Sequence, residues 1–316
     1  MKQKHFGRYT WLVLAYTVAV ILWGAYVRAS GSGAGCGAHW PLCNGQVVPR
    51  PEQIETIIEF SHRVSSGLSG LLVLVMLIEA LRLYPKGHVV RQGAWLSLFF
   101  MVAEGLVGAS LVLFEWVADN ASVARAVATA VHFTNTLFLL TALTLTAWWA
   151  NGGQRLHWRT QNQRGWLVGI GMVGLIILGV SGAITALGDT LFPATSLRQG
   201  IQQDFEATAH FLVQLRVWHP VLAVATGVYL WVASHTLSSG RQGNESRFAH
   251  NLKALVIVQL AAGVVNVLLL APIWMQLVHL LLADLVLIQF VLWSAVLMAE
   301  PEKMAQTSQL APQSGD

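Results

Sequence analysis

Apolar residues along this chain fall into eight long runs: 9–27, 64–81, 92–113, 126–150, 165–187, 217–237, 254–270 and 274–298. A helix crosses a bilayer core with about 20 apolar residues, so each run predicts a membrane-spanning helix. In lipid only helices and closed barrels satisfy every backbone amide. Barrel strands are shorter and alternate apolar with polar positions, which these runs do not. The pattern therefore predicts an all-α membrane protein of eight transmembrane helices. No small-residue cleavage site ends the first run convincingly, so it reads as a resident helix rather than a signal peptide. Residues Glu300 to Asp316 are polar and read as a disordered tail.

Composition agrees with the pattern. The chain is 55% hydrophobic and 11% charged, whereas soluble domains carry roughly 25% charged residues. Its net charge of +4 does not call for nucleic acid, because the cations sit in short connections between apolar runs. There they act as topology signals. With the N-terminus inside, the inner segments carry Lys2, Lys4, Arg8, Arg82, Lys86, Arg91, Arg155, Arg159, Arg164, Arg241, Arg247, Lys253 and Lys303. The outer segments carry only Arg28, Arg50, Arg63, Arg125, Arg198 and Arg216. Both termini are therefore expected in the cytoplasm of a multi-pass cell (inner) membrane protein. The thirteen tryptophans suit interfacial belts as well as packing.

The two halves of the sequence resemble each other. Gly24-Ala25 matches Gly182-Ala183 at an offset of 158, and His62-Arg63-Val64 matches His219-Pro220-Val221 at 157. Glu104 to Gly108 matches Gln259 to Gly263 at 155, and Val131-His132 matches Val278-His279 at 147. Four helices per repeat make this a parallel repeat about an axis along the membrane normal. Two four-helix bundles related by a pseudo-twofold axis are expected, residues 1–151 and 152–316.

Ionisable groups inside a membrane are costly and are functional candidates by default. His62, His132, His219 and His279 recur in matched pairs near the outer helix ends, with His62 and His219 placed in the first turns of helices 2 and 6. Two imidazoles at similar depth in each bundle suit axial ligation of one haem iron per bundle. Zinc fits less well, because it wants three or four converging ligands. Other histidines read as loop or boundary residues, with His39 and His210 held in reserve. Haem propionates need cations, and Arg63, Arg125 and Arg216 lie near the histidines on the outer side.

The halves also differ. Glu59 stands three residues before His62, and Arg216 stands three before His219. That asymmetry assigns chemistry to the first half and a resident haem to the second, although a helix-start charge favoured by the dipole also explains a glutamate there. Glu104 and Asp284 are intramembrane carboxylates outside the assigned site. Cys36 and Cys43 share the first outer loop. An oxidising compartment permits a disulfide there, and a loop staple, a redox-active pair and a metal ligand pair all remain open.

Gly31-Ser32-Gly33-Ala34-Gly35-Cys36 with Trp40-Pro41-Leu42-Cys43, followed by Glu59-Phe60-Ser61-His62-Arg63, resembles the heme A synthase family. The histidines at 132, 219 and 279 extend the resemblance along all eight runs. It implies oxidation of the C8 methyl group of heme O to a formyl group, giving heme A for cytochrome oxidase. It further implies substrate heme O at His62 and His132, a resident haem b on His219 and His279, Glu59 as the essential carboxylate and Cys36–Cys43 as the first-loop pair. Heme O synthase is then the upstream donor, beside an electron-transfer partner, membrane lipid and cytochrome oxidase assembly; a homo-oligomer is left open. Two departures stand out. The segment Gly188 to Gln214 lacks the second cysteine pair of some relatives, and Pro220 replaces the arginine that follows the histidine in the first half. A diheme membrane cytochrome b passing electrons between quinol and an outer acceptor is the alternative from another class. It explains the histidines but not Glu59. A transporter explains the repeat but not the histidines.

Overall fold

The computed structural model of the protein describes residues 2–50, 53–157 and 162–299. Eight helices in it are long and apolar enough to cross a membrane. They are α1 (Gln3–Ala29), α2 (Ile54–Leu83), α3 (Val89–Leu113), α4 (Val123–Ala150), α5 (Asn162–Leu191), α6 (Trp218–Ser238), α7 (Asn244–Leu268) and α8 (Ile273–Leu297). The protein is an all-α, multi-pass membrane protein, as the apolar runs predict. The start of α1 and the end of α8 lie on one side of the membrane, here the terminal side. The connections after α1, α3, α5 and α7 lie on the other, the disulfide side. The 300–316 tail, Arg159 and Lys303 fall outside the described residues.

Each helix packs on its sequence neighbours, and α1 also packs on α4. The first four helices meet the last four where α4 contacts α5 and α8, and α1 contacts α8 and α5. Burial follows from this: half of the most apolar window of α8 is inside the protein, but only 11% of those of α3 and α7. Outward stripes stay apolar, as with Trp95, Phe99, Val102 and Leu106 on α3 and Trp166, Ile170, Val173 and Ile177 on α5. In water such stripes would drive association; here they face lipid.

Two helices differ from the sequence expectation in ways that reach the site. The run 64–81 predicts His62 in a first turn, but α2 begins at Ile54. Glu59, His62 and Arg63 are therefore interior to the helix. A hydropathy window stops at charges, whereas a helix continues when those charges find partners within the protein. Glu59 now lies beyond the first turn, where dipole effects fade, so the helix-start reading of this residue is withdrawn. The expected first-turn place of His219 is kept, since α6 starts at Trp218. A short helix, Phe211–Gln214, and a 3₁₀ turn, Leu215–Val217, lead into it. Pro220 has no N–H to give to the carbonyl four residues back, which suits a change of winding at that point.

Candidate functional site

Each of the four matched histidines lies against a glycine of the preceding helix. A Cβ on Gly24 of α1 would stand 2.8 Å from Cε1 of His62, and one on Gly182 of α5 would stand 2.9 Å from Cε1 of His219. On Gly263 of α7 the distance to His279 is 3.2 Å, and on Gly108 of α3 it is 3.7 Å to His132. The glycines let the imidazoles lie flush between helices, and all four belong to the matched segments of the sequence repeat. Nδ1 of His62, His132 and His279 is buried without a hydrogen-bond partner, while Nδ1 of His219 meets Ser181 Oγ at 3.0 Å.

The ring centres of His219 and His279 are 6.3 Å apart with planes at 84°. Two metal–nitrogen bonds of about 2 Å, plus roughly 1 Å from each nitrogen to its ring centre, sum to about the same span. His62 and His132 are close enough to interact electrostatically. Orphaned nitrogens and glycine cradles at both pairs fit a haem at each, and at His219 and His279 the ring spacing fits it too. No group of three or more His, Cys, Asp or Glu among the described residues gathers to hold a free metal ion. His39 and His210 join neither pair. His39 sits in the disulfide loop, and His210 caps Phe211–Gln214 by accepting from Leu212 N at 3.3 Å.

Neighbours of the histidines separate the halves. Oε1 of Glu104 on α3 lies 3.5 Å from Nδ1 of His132. Glu104 is itself fixed by Asn135 Nδ2 at 2.5 Å and Thr136 Oγ1 at 2.6 Å. At the matched place on α7, Gln259 Nε2 lies 3.2 Å from His279 Nε2. One pair thus has a carboxylate beside it and the other an amide.

Glu59 is buried at 3% exposure. Its Oε2 accepts from the Cys36 amide at 2.8 Å, and its Oε1 accepts from Nε of Arg63 at 3.1 Å and from a terminal nitrogen of the same guanidinium. Arg63 then donates to the carbonyls of His39 at 2.6 Å and Leu42 at 2.7 Å. Cys36 and Cys43 are joined as a disulfide, and Thr56 Oγ1 holds the carbonyl of Gly35 at 2.7 Å. The loop between α1 and α2 is thereby tied to α2 one turn from His62.

Arg216, at the matched place in the second half, is likewise buried and does the same work with reversed charge. Its Nε donates to Asp204 at 2.9 Å and a terminal nitrogen donates to Asp189 at 3.0 Å. Asp204 closes Leu197–Phe205, a helix lying in what the sequence presents as loop. Partial burial lifts the Asp204 carboxyl above its usual range, against the pull of Arg216. Arg125 donates to the carbonyls of Ala118 at 2.5 Å and Asn120 at 2.7 Å. All three arginines considered for propionates therefore already serve protein groups. Arg28, which sequence reasoning passed over, crosses between halves. It donates to Ala186 O at 2.7 Å, Thr190 Oγ1 at 2.6 Å and Gln276 Oε1 at 2.9 Å. Its signal was a cation at the end of an apolar run on the cation-poor side.

Comparisons with known proteins place this architecture. Two strains of Thermus thermophilus carry a protein named protoheme IX farnesyltransferase that is 54% identical over 284 residues, 90% of this chain and 47% of that protein. The chain thus spans about half the length of those relatives. A heme A synthase of Bacillus mycoides is 45% identical over 97 residues, 31% of each chain, and one of Bacillus cereus is 46% identical over 95 residues, 30% of each. A model of the COX15-CtaA family, described as cytochrome oxidase assembly protein, matches residues 7–291. That match takes in all four histidines, Glu59 and the disulfide, and the chain belongs to this family of cytochrome oxidase assembly proteins.

Proposed function

We propose that the protein is a heme A synthase, an oxidoreductase that converts the C8 methyl group of heme O to a formyl group. The observation that carries this is the pair of imidazole pairs, each ring seated on a glycine of the neighbouring helix, with the Glu104 carboxylate beside one pair and the Gln259 amide at the matched place of the other. His62 and His132 would hold substrate heme O, and His219 and His279 would hold a resident haem b. The division into halves, 1–151 and 152–316, follows from that assignment. The terminal side would face the cytoplasm of the inner membrane, since the cation bias points that way.

A bound haem would supply redox chemistry; turning a methyl into a formyl group removes four electrons and adds one oxygen atom, so an external electron acceptor and an oxygen donor, water or dioxygen, complete the balance. The chain's residues position and protect. Glu104 orients the ring of His132, as carboxylates beside ligating histidines do. Glu59, held by Arg63 and the Cys36 amide, offers a fixed negative charge and a proton acceptor one turn from His62. Arg125, with one terminal nitrogen engaged, keeps the rest of its guanidinium for a propionate. Arg63 and Arg216 would have to share theirs. The names of the Bacillus relatives support the reaction. The name of the Thermus relatives supports a heme O synthase as the upstream partner; it also favours a second reading, in which this chain itself farnesylates protohaem.

Purified protein should yield haem b on extraction and should turn supplied heme O into heme A. His219→Ala or His279→Ala should remove the low-spin bands of the resident haem. Glu59→Gln keeps shape and deletes charge; it should retain haem b, bind heme O and lose about 10²–10³ in rate. Farnesylation of protohaem from farnesyl diphosphate, without any heme A, would establish the second reading instead. Two haems that exchange electrons with quinol but leave heme O unchanged would establish a diheme cytochrome.

A further inference from the structure

A cavity of about 850 Å³ lies on the terminal side, at the opposite helix ends from the four matched histidines. It opens between the first turns of α1, the turn from α2 to α3 and the turn after α4. Ligand sites commonly fall at about 300–1,000 Å³. Lys4, Arg8 and Arg155 line it, together with His88, and no aspartate or glutamate does. None of those three cations has an ion-pair or side-chain hydrogen-bond partner among the described residues.

Several other arginines of the protein are engaged. Arg63, Arg82, Arg216 and Arg241 each pair with a carboxylate, and Arg28 and Arg125 are bonded to carbonyls. In the second half, the turn from α6 to α7 also bears a cation, Arg241, but Glu245 neutralises it at 2.6 Å. At the matched turn of the second half the cation is neutralised, whereas in the first half the three cations that line the cavity are not.

The walls say which anion fits. Tyr84 and Trp149 line the cavity, at the helix ends where amphipathic rings sit at headgroup level. Two helices that border it, α1 and α3, expose apolar side chains farther into the membrane, Leu12 on α1 and Trp95, Leu96 and Phe99 on α3. A ligand with a phosphate in the cavity would lay its other end along apolar surface. We propose that this cavity is a binding site for the headgroup of an anionic phospholipid, its phosphate held by Lys4, Arg8 and Arg155 and its acyl chains lying on α1 and α3. Basic pockets between spanning helices bind such headgroups by charge. The site rests on the membrane-spanning fold and the free cations, not on the haem reading.

Native mass spectrometry of the full chain released from detergent, titrated with phosphatidylglycerol, phosphatidylcholine or inorganic phosphate, tests it. Phosphatidylglycerol should be retained and phosphatidylcholine should not, and millimolar inorganic phosphate should fail to displace the lipid. Each cation near an anionic headgroup contributes about fivefold, so Arg8→Gln with Arg155→Gln should weaken retention about 25-fold. Arg247→Gln, an exposed cation on the same side but outside the cavity, should leave it unchanged. Equal retention of both lipids, or of phosphatidylglycerol by the double variant, would overturn the proposal. Displacement by inorganic phosphate would also overturn it and make the cavity a site for a soluble anion.

Discussion

At the scale of single residues, a missing methyl group matters as much as a present imidazole. Gly182→Ala would put Cβ 2.9 Å from the ring of His219, so the ring must turn or the helices must part. The expected result is roughly 10–100-fold weaker retention of the resident haem, the scale seen when groups around a metal ligand are disturbed; a spectral haem titration measures it. Gly105→Ala meets nothing within 4 Å. It should leave the haem spectrum alone and raise stability by up to about 1 kcal/mol, the propensity difference between the two residues in a helix. The histidines and Glu59 were legible because polar groups stand out in or just before apolar runs. The glycines were visible only as part of the repeat, because their purpose is a contact across helices. For Glu59 and Arg216 the sequence shows a charge contrast, and the structure adds a likeness: both tie a disulfide-side connection to the helix that carries the next histidine.

Among elements, Leu197–Phe205 is the one the apolar runs leave out. Leu197, Ile201 and Phe205 recur every four residues and stay exposed, a helical period too short for a spanning helix. Asp204 anchors this helix through Arg216, so Asp204→Ala should free it while the spanning helices hold. Hydrogen exchange across 197–205 should rise severalfold, with exchange in α8 unchanged. The Cys36–Cys43 loop offers a parallel test. Closing so short a loop is worth about 2 kcal/mol in the chain-entropy account. Cys36→Ser with Cys43→Ser should loosen the loop and, through the Cys36 amide, the Glu59 carboxylate. Turnover should fall while haem b content stays near normal, a split that pigment extraction and rate measurement resolve. The start of α2 was misplaced from sequence for a related reason: Glu59 and Arg63 interrupt hydropathy yet satisfy one another inside the helix.

For the whole molecule, eight apolar runs were enough to give the class and the number of spanning helices. They were silent on which helices lie at the centre, because a helix facing lipid and one facing protein are both apolar. Burial of α1, α4 and α8 settles this, and Arg28 marks the join. Arg28→Ala would remove the charged donor from Ala186 O, Thr190 Oγ1 and Gln276 Oε1, and should cost about 3 kcal/mol given the worth of hydrogen bonds from charged donors. A lower midpoint of thermal inactivation in detergent measures it. Arg28→Lys, which keeps the charge but not the planar fork, should fall between. The same side chain bears on how the protein is made. Arg28 and Gln276 are 248 residues apart in the chain, so at ribosomal rates of about 5–20 residues per second the donor emerges about 12–50 s before its acceptor. Over that interval α1 waits in the bilayer with a cation that only the final helix can finish satisfying, so a chain arrested before α8 carries its own mark of incompleteness.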